Sequence, residues 1–219
     1  MNAYDLLIWA RGTGFNLALA IFILGMLLRL FEVLSLGNKP DLAEGRGSAT
    51  KGGLRTLWTR NFPRKTVFAK APLRIINGYV MHIGLFVVIF MYGPHIALLE
   101  SGLGFGWPNL PSGVIDAMTA ITLLSLGSAL VIRLVHPVMR FLSDAGDYVA
   151  WAVTLLPVLT GYLTYNHLFF PYTLMLALHI LSVELLLVVA PFSKLTHMFS
   201  FIPARWFQGA EAGYRGTES

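Results

Sequence analysis

A chain of 219 residues that is 56% hydrophobic and only 12% charged, with a mean hydropathy of +0.66, is too apolar for a soluble domain of that length. It contains no cysteine, which excludes disulfides, thiolate-held metals, cysteine-ligated iron–sulfur clusters and haem attached through Cys-x-x-Cys-His, and leaves histidine and oxygen as metal donors. The net charge of +5 matters through its placement along a membrane chain, not as an attraction for nucleic acid, which is not expected as a partner.

The opening MNAYDLLIWARG has no basic n-region and no small-residue cleavage pattern follows it, so it is expected to be retained. The first apolar run, roughly Phe15 to Leu34, is long enough to cross a bilayer. From 35 to 74 the chain turns polar and rich in Gly and Ser, with Lys39, Arg46, Lys51, Arg55, Arg60, Arg64, Lys65, Lys70 and Arg74. This basic loop reads either as a solvated, headgroup-binding segment or as a docking surface for a cytoplasmic partner, and LRTLWTRNF from Leu54 predicts a short interfacial helix.

A second span is predicted from Ile75 to Leu98, and the link from Leu99 to Ser112 carries no Lys or Arg. Positive-inside bias then puts the 35–74 loop in the cytoplasm. Further spans follow at Gly113 to Leu134, Tyr148 to Tyr165 (with Pro157 expected to kink it) and Tyr172 to Pro191. The tail, 193–219, carries Lys194, Arg205 and Arg215 on the same side as the basic loop. The predicted fold is all-α, a single five-transmembrane-helix bundle with N-terminus periplasmic and C-terminus cytoplasmic, in a bacterial or archaeal cytoplasmic membrane. Trp9 and Trp107 would anchor one interface, Trp151 and Trp206 the other. There is no Walker sequence, dinucleotide fingerprint or Gly-x-Ser-x-Gly elbow.

All six histidines lie in or at the ends of these spans: His82, His95, His136, His167, His179 and His197. Taken singly, each reads more readily as an interhelical hydrogen-bonding group than as a ligand. Taken by depth, they pair. His179 and His197 are eighteen residues apart, five helical turns or roughly 27 Å, so they face one side near opposite membrane surfaces. The second span runs the other way, bringing His82 to the level of His197 and His95 to that of His179. Two imidazoles from facing helices can hold a b-type haem with no open iron position.

Thirteen residues separate His82 from His95, about 220° of rotation, so a regular helix turns them apart unless Gly93 and Pro94 bend it. His167 and His136 are alternative ligands, and a single haem on His82 and His197 stays open. Glu184 reads as a hydrogen-bonded core acid or as a proton relay. Arg133, Arg140 and Arg29 read as haem-propionate partners or as snorkelling cations. Gly84 and Gly161 read as points of porphyrin approach or of helix packing.

From about Ile75 to Phe207 the chain resembles the gamma subunit of respiratory nitrate reductase and its relatives, a family of five-span membrane cytochromes b. LHILSVELLLVVAPFSKLTHMFSFIPARWF, MHIGLFVVIF and GDYVAWAVTLLPVLTGYLT carry the resemblance. It implies His82 and His197 as ligands of a haem nearer the cytoplasm and His179 as a ligand of one nearer the outside. In the family the fourth ligand lies ten residues after the first, where this chain has Tyr92, so His95 serves only with a shifted helix. The family's quinol-pocket lysine is also missing, since no lysine lies between Lys70 and Lys194.

The resemblance implies two haem b groups carrying electrons between membrane quinone or quinol and the cytoplasmic iron–sulfur and catalytic subunits of a respiratory complex. It also suggests a quinone site around Tyr92, Gly93 and Asp116. The competing expectations are a membrane anchor without redox centres and a small proton-coupled transporter.

Overall fold

A chain this apolar satisfies its backbone within lipid by forming helices, which close every N–H to C=O bond inside one segment. A computed structural model describes residues 2–35 and 44–217; Lys39 of the basic loop and the last two residues of the tail lie outside them. Among the described residues there is no strand. The helices are α1 (Ala3–Trp9), α2 (Phe15–Ser35), α3 (Ala49–Thr59), α4 (Lys65–Lys70), α5 (Pro72–Met91), α6 (Gly93–Leu103), α7 (Ser112–Val135), α8 (Pro137–Leu142), α9 (Ala145–Tyr165), α10 (Tyr172–Val189) and α11 (His197–Tyr214).

Among the described residues five segments are long and apolar enough to cross a membrane: Ala3–Ser35, Pro72–Met91, Ser112–Val135, Ala145–Tyr165 and Tyr172–Phe192. The protein is therefore a multi-pass transmembrane protein. Two boundaries differ from those expected. The first span begins a dozen residues earlier, because MNAYDLLIWARG continues the helix, with Asn2 and Asp5 forming a reciprocal cap at its start. It passes through a π-helical turn at Ala10–Gly14. The second span stops at Met91, where Tyr92 turns to extended backbone (φ −87°, ψ 127°) before α6 begins at Gly93.

Lipid tails are as apolar as leucine, so helices associate here through close packing and polar contacts instead of water exclusion. Large side chains such as Leu24, Phe31, Phe86 and Leu124 face outward, while the interior holds small and hydroxyl residues: Ala18, Thr119, Thr122, Ser125 and Ser182. Asn77 of α5 locks to α7 by donating to the Ser125 carbonyl (3.0 Å) and accepting from Ser125 and Ser128 hydroxyls (2.9 and 2.6 Å). Such bonds contribute about 0.6–2 kcal/mol each in a membrane. The Trp151 indole of α9 donates to the Leu126 carbonyl at 2.9 Å, tying the fourth span to the third.

The segment expected as a free tail is a helix. α11 packs along α3 through glycine: a side chain at Gly209 would strike Thr56 and the Gly52 carbonyl, and one at Gly213 would strike the Ser48 carbonyl at 2.5 Å. This spacing, Gly209 and Gly213 with three residues between, is the small-residue pattern that lets helix backbones approach. Asn61, just past α3, accepts at its side-chain oxygen from Arg205 of α11 (2.6 Å) and at its carbonyl from Tyr79 of α5 (2.6 Å). The hairpin is thus pinned one turn from His82.

Two of the candidate arginines, Arg133 and Arg29, have protein partners. Arg133 pairs with Asp147 (3.2 Å) and donates to Ser143 (2.9 Å). Arg29 pairs with Glu32 (2.7 Å) and donates to the Pro191 carbonyl (2.9 Å).

Candidate functional site: two histidine pairs

His82 comes from the middle of α5 and His197 from the first turn of α11, and their ring centroids lie 6.3 Å apart with the planes at 76°. His95 comes from the first turn of α6 and His179 from α10; their centroids lie 6.1 Å apart with planes at 17°. Rings hydrogen-bonded to each other would sit closer, about 5 Å between centroids. Two imidazoles sharing one metal ion hold their centroids roughly 6 Å apart, since each adds a metal–nitrogen bond of about 2.0 Å and the half-width of its ring. The observed separations of 6.3 and 6.1 Å are longer than a direct ring-to-ring hydrogen bond would give.

The second ring nitrogen of every member is engaged. Nδ1 of His82 donates to the Gly78 carbonyl (2.7 Å), that of His95 to the Val88 carbonyl (2.9 Å) and that of His197 to the Lys194 carbonyl (2.8 Å). Nδ1 of His179 faces the Thr160 hydroxyl at 3.3 Å, and that hydroxyl also meets Ser182 at 2.9 Å. A proton fixed on Nδ1 leaves the lone pair on Nε2, the arrangement by which a protein orients a metal-binding imidazole and raises its basicity.

The break at Tyr92 explains how His95 reaches its partner. Ending a helix frees its last carbonyls, and Pro94 has no N–H to offer Phe90 four residues back. The Phe90 carbonyl accepts instead from the Trp107 indole (2.5 Å), Met91 from the Leu110 amide (2.9 Å) and Val88 from the His95 ring. One irregularity therefore turns His95 off the α5 register and supplies the acceptor that orients it. The bend foreseen at Gly93 and Pro94 is a complete interruption one residue earlier.

His136 caps α7 just before Pro137 and is exposed. His167 sits in the α9–α10 turn with φ 53°, its ring 5.3 Å from that of Tyr172. Neither has a ring contact with the two pairs among the described residues. No group of three or more His, Asp, Glu or Cys is close enough to hold a metal ion among those residues.

Of the residues proposed for a quinone, Tyr92 stacks edge-on to His95 (5.1 Å) and lies 6.3 Å from Tyr165. A side chain at Gly93 would sit 3.8 Å from Asn109. Asp116 accepts from Asn166 at 2.9 Å, which makes it part of the α7–α9 junction. Gly84 serves packing, since a side chain there would collide with Thr122 of α7. A side chain at Gly161 would lie 3.1 Å from the His179 ring, so that glycine leaves room for the imidazole. A cleft of about 360 Å3 runs along α5, lined by His82, Ile83, Phe86, Val87 and Met91. Its wall is apolar apart from His82.

Fold and site together define a multi-pass membrane protein with two histidine pairs, one between α5 and α11 and one between α6 and α10. The chain is 30% identical over 196 residues to a protein from Nitratidesulfovibrio vulgaris strain Hildenborough, described simply as a protein, and the match takes in 86% of this chain and 85% of that one. It belongs to the same family. No family model matches it, and no solved structure does.

Proposed function

We propose that this protein is a di-haem b-type cytochrome subunit that passes electrons across the membrane between quinone or quinol and the cytoplasmic iron–sulfur and catalytic subunits of a respiratory complex. The observation that carries the reading is the pair of bis-histidine arrangements, each at a separation suited to one shared metal and each with Nδ1 engaged. With no cysteine in the chain, the haem must be held without covalent attachment, as haem b is. The apolar cleft beside His82 suits the face of a flat macrocycle.

When bound, haem b supplies reversible one-electron chemistry. His82 with His197 and His95 with His179 would hold the two groups, and the chemistry supplied there would be electron transfer instead of reaction with small ligands. His82 and His197 serve the end carrying Arg55, Arg60, Arg64, Arg74, Arg140 and Lys194; by positive-inside bias that end is cytoplasmic, and the N-terminus is periplasmic. His95 and His179 serve the other end, where Tyr92 and Gly93 lie beside His95 as the place for quinone. The membrane is accordingly the bacterial or archaeal cytoplasmic membrane. The α3–α11 hairpin, pinned beside His82, is the face offered to the cytoplasmic subunits.

Purified protein tests this through its reduced-minus-oxidised spectrum. The expectation is a b-type α band that weakens by about half in His82→Ala and in His95→Ala and keeps its full intensity in His136→Ala and His167→Ala. Absence of any haem band from folded, detergent-extracted protein contradicts the proposal.

A further inference from the structure

Glu184 lies on α10 about 7 Å along the axis from His179, and His197 lies beyond the end of that helix at Val189. It is only 7% exposed, and its Oε1 is buried with no hydrogen-bond partner. A carboxylate stripped of water and left unpaired in an apolar setting costs several kcal/mol or more, so such a group is retained in its neutral, protonated form or for a ligand. The residue opposite is Gly14, the last of the π-helical turn Ala10–Gly14. A side chain there would lie 2.9 and 3.0 Å from the two Glu184 oxygens and 2.7 Å from the Trp9 ring. π turns inside α-helices recur at functional sites because they widen the backbone locally and re-aim what faces it.

A cleft of about 280 Å3 opens at this place between the first and fifth spans, and Glu184 is one of its walls together with Trp9, Gly14 and apolar residues such as Leu17, Leu181 and Val188. No other ionisable group lines it. Those on the packed elements are Tyr4, Asp5, Arg11, Arg29 and Glu32 on the first span and Tyr172 and His179 on α10 itself. Arg29 and Glu32 are paired with each other and Asp5 with the Asn2 backbone. α9, on the other flank of α10, has Tyr148, Tyr162 and Tyr165 and one acid, Asp147, which is bound to Arg133 and Lys194.

We propose that Glu184 is an exchangeable proton-binding site within the membrane, loaded through the Trp9–Gly14 cleft between the first and fifth spans. The ligand is a proton: the carboxylic O–H gives it to an acceptor entering the cleft from the Trp9 end and regains one the same way, with no other bond made or broken. The small residue at position 14 keeps the passage open, and the tight fit around Oε1 keeps the acid neutral at rest. The inference stands on the geometry of this cleft and is independent of haem.

The test uses full-length protein in detergent and the hydrophobic probe dicyclohexylcarbodiimide, which adds to protonated carboxylic acids. One carbodiimide is expected on the peptide containing Glu184, with a rate that falls as pH rises, none in Glu184→Gln and a severalfold slower reaction in Gly14→Ala. No adduct at Glu184 at any pH, or an unchanged rate in a folded Gly14→Ala protein, overturns the proposal. Infrared spectra of the unmodified protein read the same point without any variant. The acid C=O band, identified by its loss in Glu184→Gln, is expected to shift within minutes in D2O, and a band that stays put marks a sealed structural acid and overturns it too.

Discussion

At the scale of single residues the four paired histidines differ in how they are oriented. Three donate Nδ1 to main-chain carbonyls alone, while His179 faces the Thr160 hydroxyl as well as the Pro157 carbonyl. That makes it the one ligand candidate with a side-chain orienting partner that substitution can remove. In Thr160→Val, one of two haems is expected to bind on the order of tenfold more weakly and to titrate at a shifted potential, while the other is unchanged and Thr160→Ser restores both. Redox titration of the α band checks this, and two unaltered haems in the valine variant would show that the hydroxyl does not orient His179. The pairing of His82 with His197 and of His95 with His179 was legible from histidine spacing and span direction. The Thr160 partner was not, since a threonine in an apolar run has no signal that distinguishes it from Thr154 or Thr164, whose hydroxyls donate to carbonyls four residues back.

Among elements, the α5–α6 break does what helical arithmetic disallowed. The 220° mismatch between His82 and His95 is absorbed at Tyr92, and the freed carbonyls are taken up by Trp107, Leu110 and His95 itself. Pro94→Ala returns an N–H that can compete with Trp107 for the Phe90 carbonyl. It is expected to extend α5 in register, carry His95 away from His179 and cut haem content toward one per chain; measured pyridine haemochrome at the wild-type value would contradict that.

Gly93 and Pro94 advertised the bend in the sequence. The hairpin of α3 with α11 was equally written in Gly52, Gly53, Gly209 and Gly213, but those glycines are 157 positions apart in pairs such as Gly52 and Gly209. Only the fold brings them together. The π turn at Ala10–Gly14 has no periodicity of its own, so the residues that flank Glu184 could not be foreseen.

For the whole molecule, composition and five apolar runs sufficed to give an all-helical transmembrane chain, because a bilayer permits few alternatives. Since the chain has no cysteine, single cysteines report sidedness directly. With a membrane-impermeant maleimide on intact cells opened only at the outer membrane, Ser101→Cys is expected to label and Thr50→Cys to label only after lysis; the reverse pattern inverts the topology.

The end nearer His197 is also tied by Lys194, which bonds Asp144 and Asp147 at 2.8 and 2.7 Å. The Lys194 bond holds the Asp144 carboxyl below its ordinary 3.8, so its stabilisation is full above that value and fades as pH falls through the lowered one. The Asp144 bond raises Lys194 above 10.5. Its stabilisation is full below that value and is lost as pH climbs through the raised one. Lys194→Met is expected to lower the melting temperature throughout the neutral range and to flatten its fall at both extremes; superimposable profiles would show that the cluster adds nothing.

The central claim is that imidazoles from different helices clasp two iron porphyrins in one chain. Its most direct measurement is the ratio of non-covalently extractable haem b to polypeptide in purified protein, by pyridine haemochrome against amino-acid analysis. The account predicts two per chain, falling to one in His179→Ala. Folded protein with no haem, or a ratio that His179→Ala leaves unchanged, contradicts it.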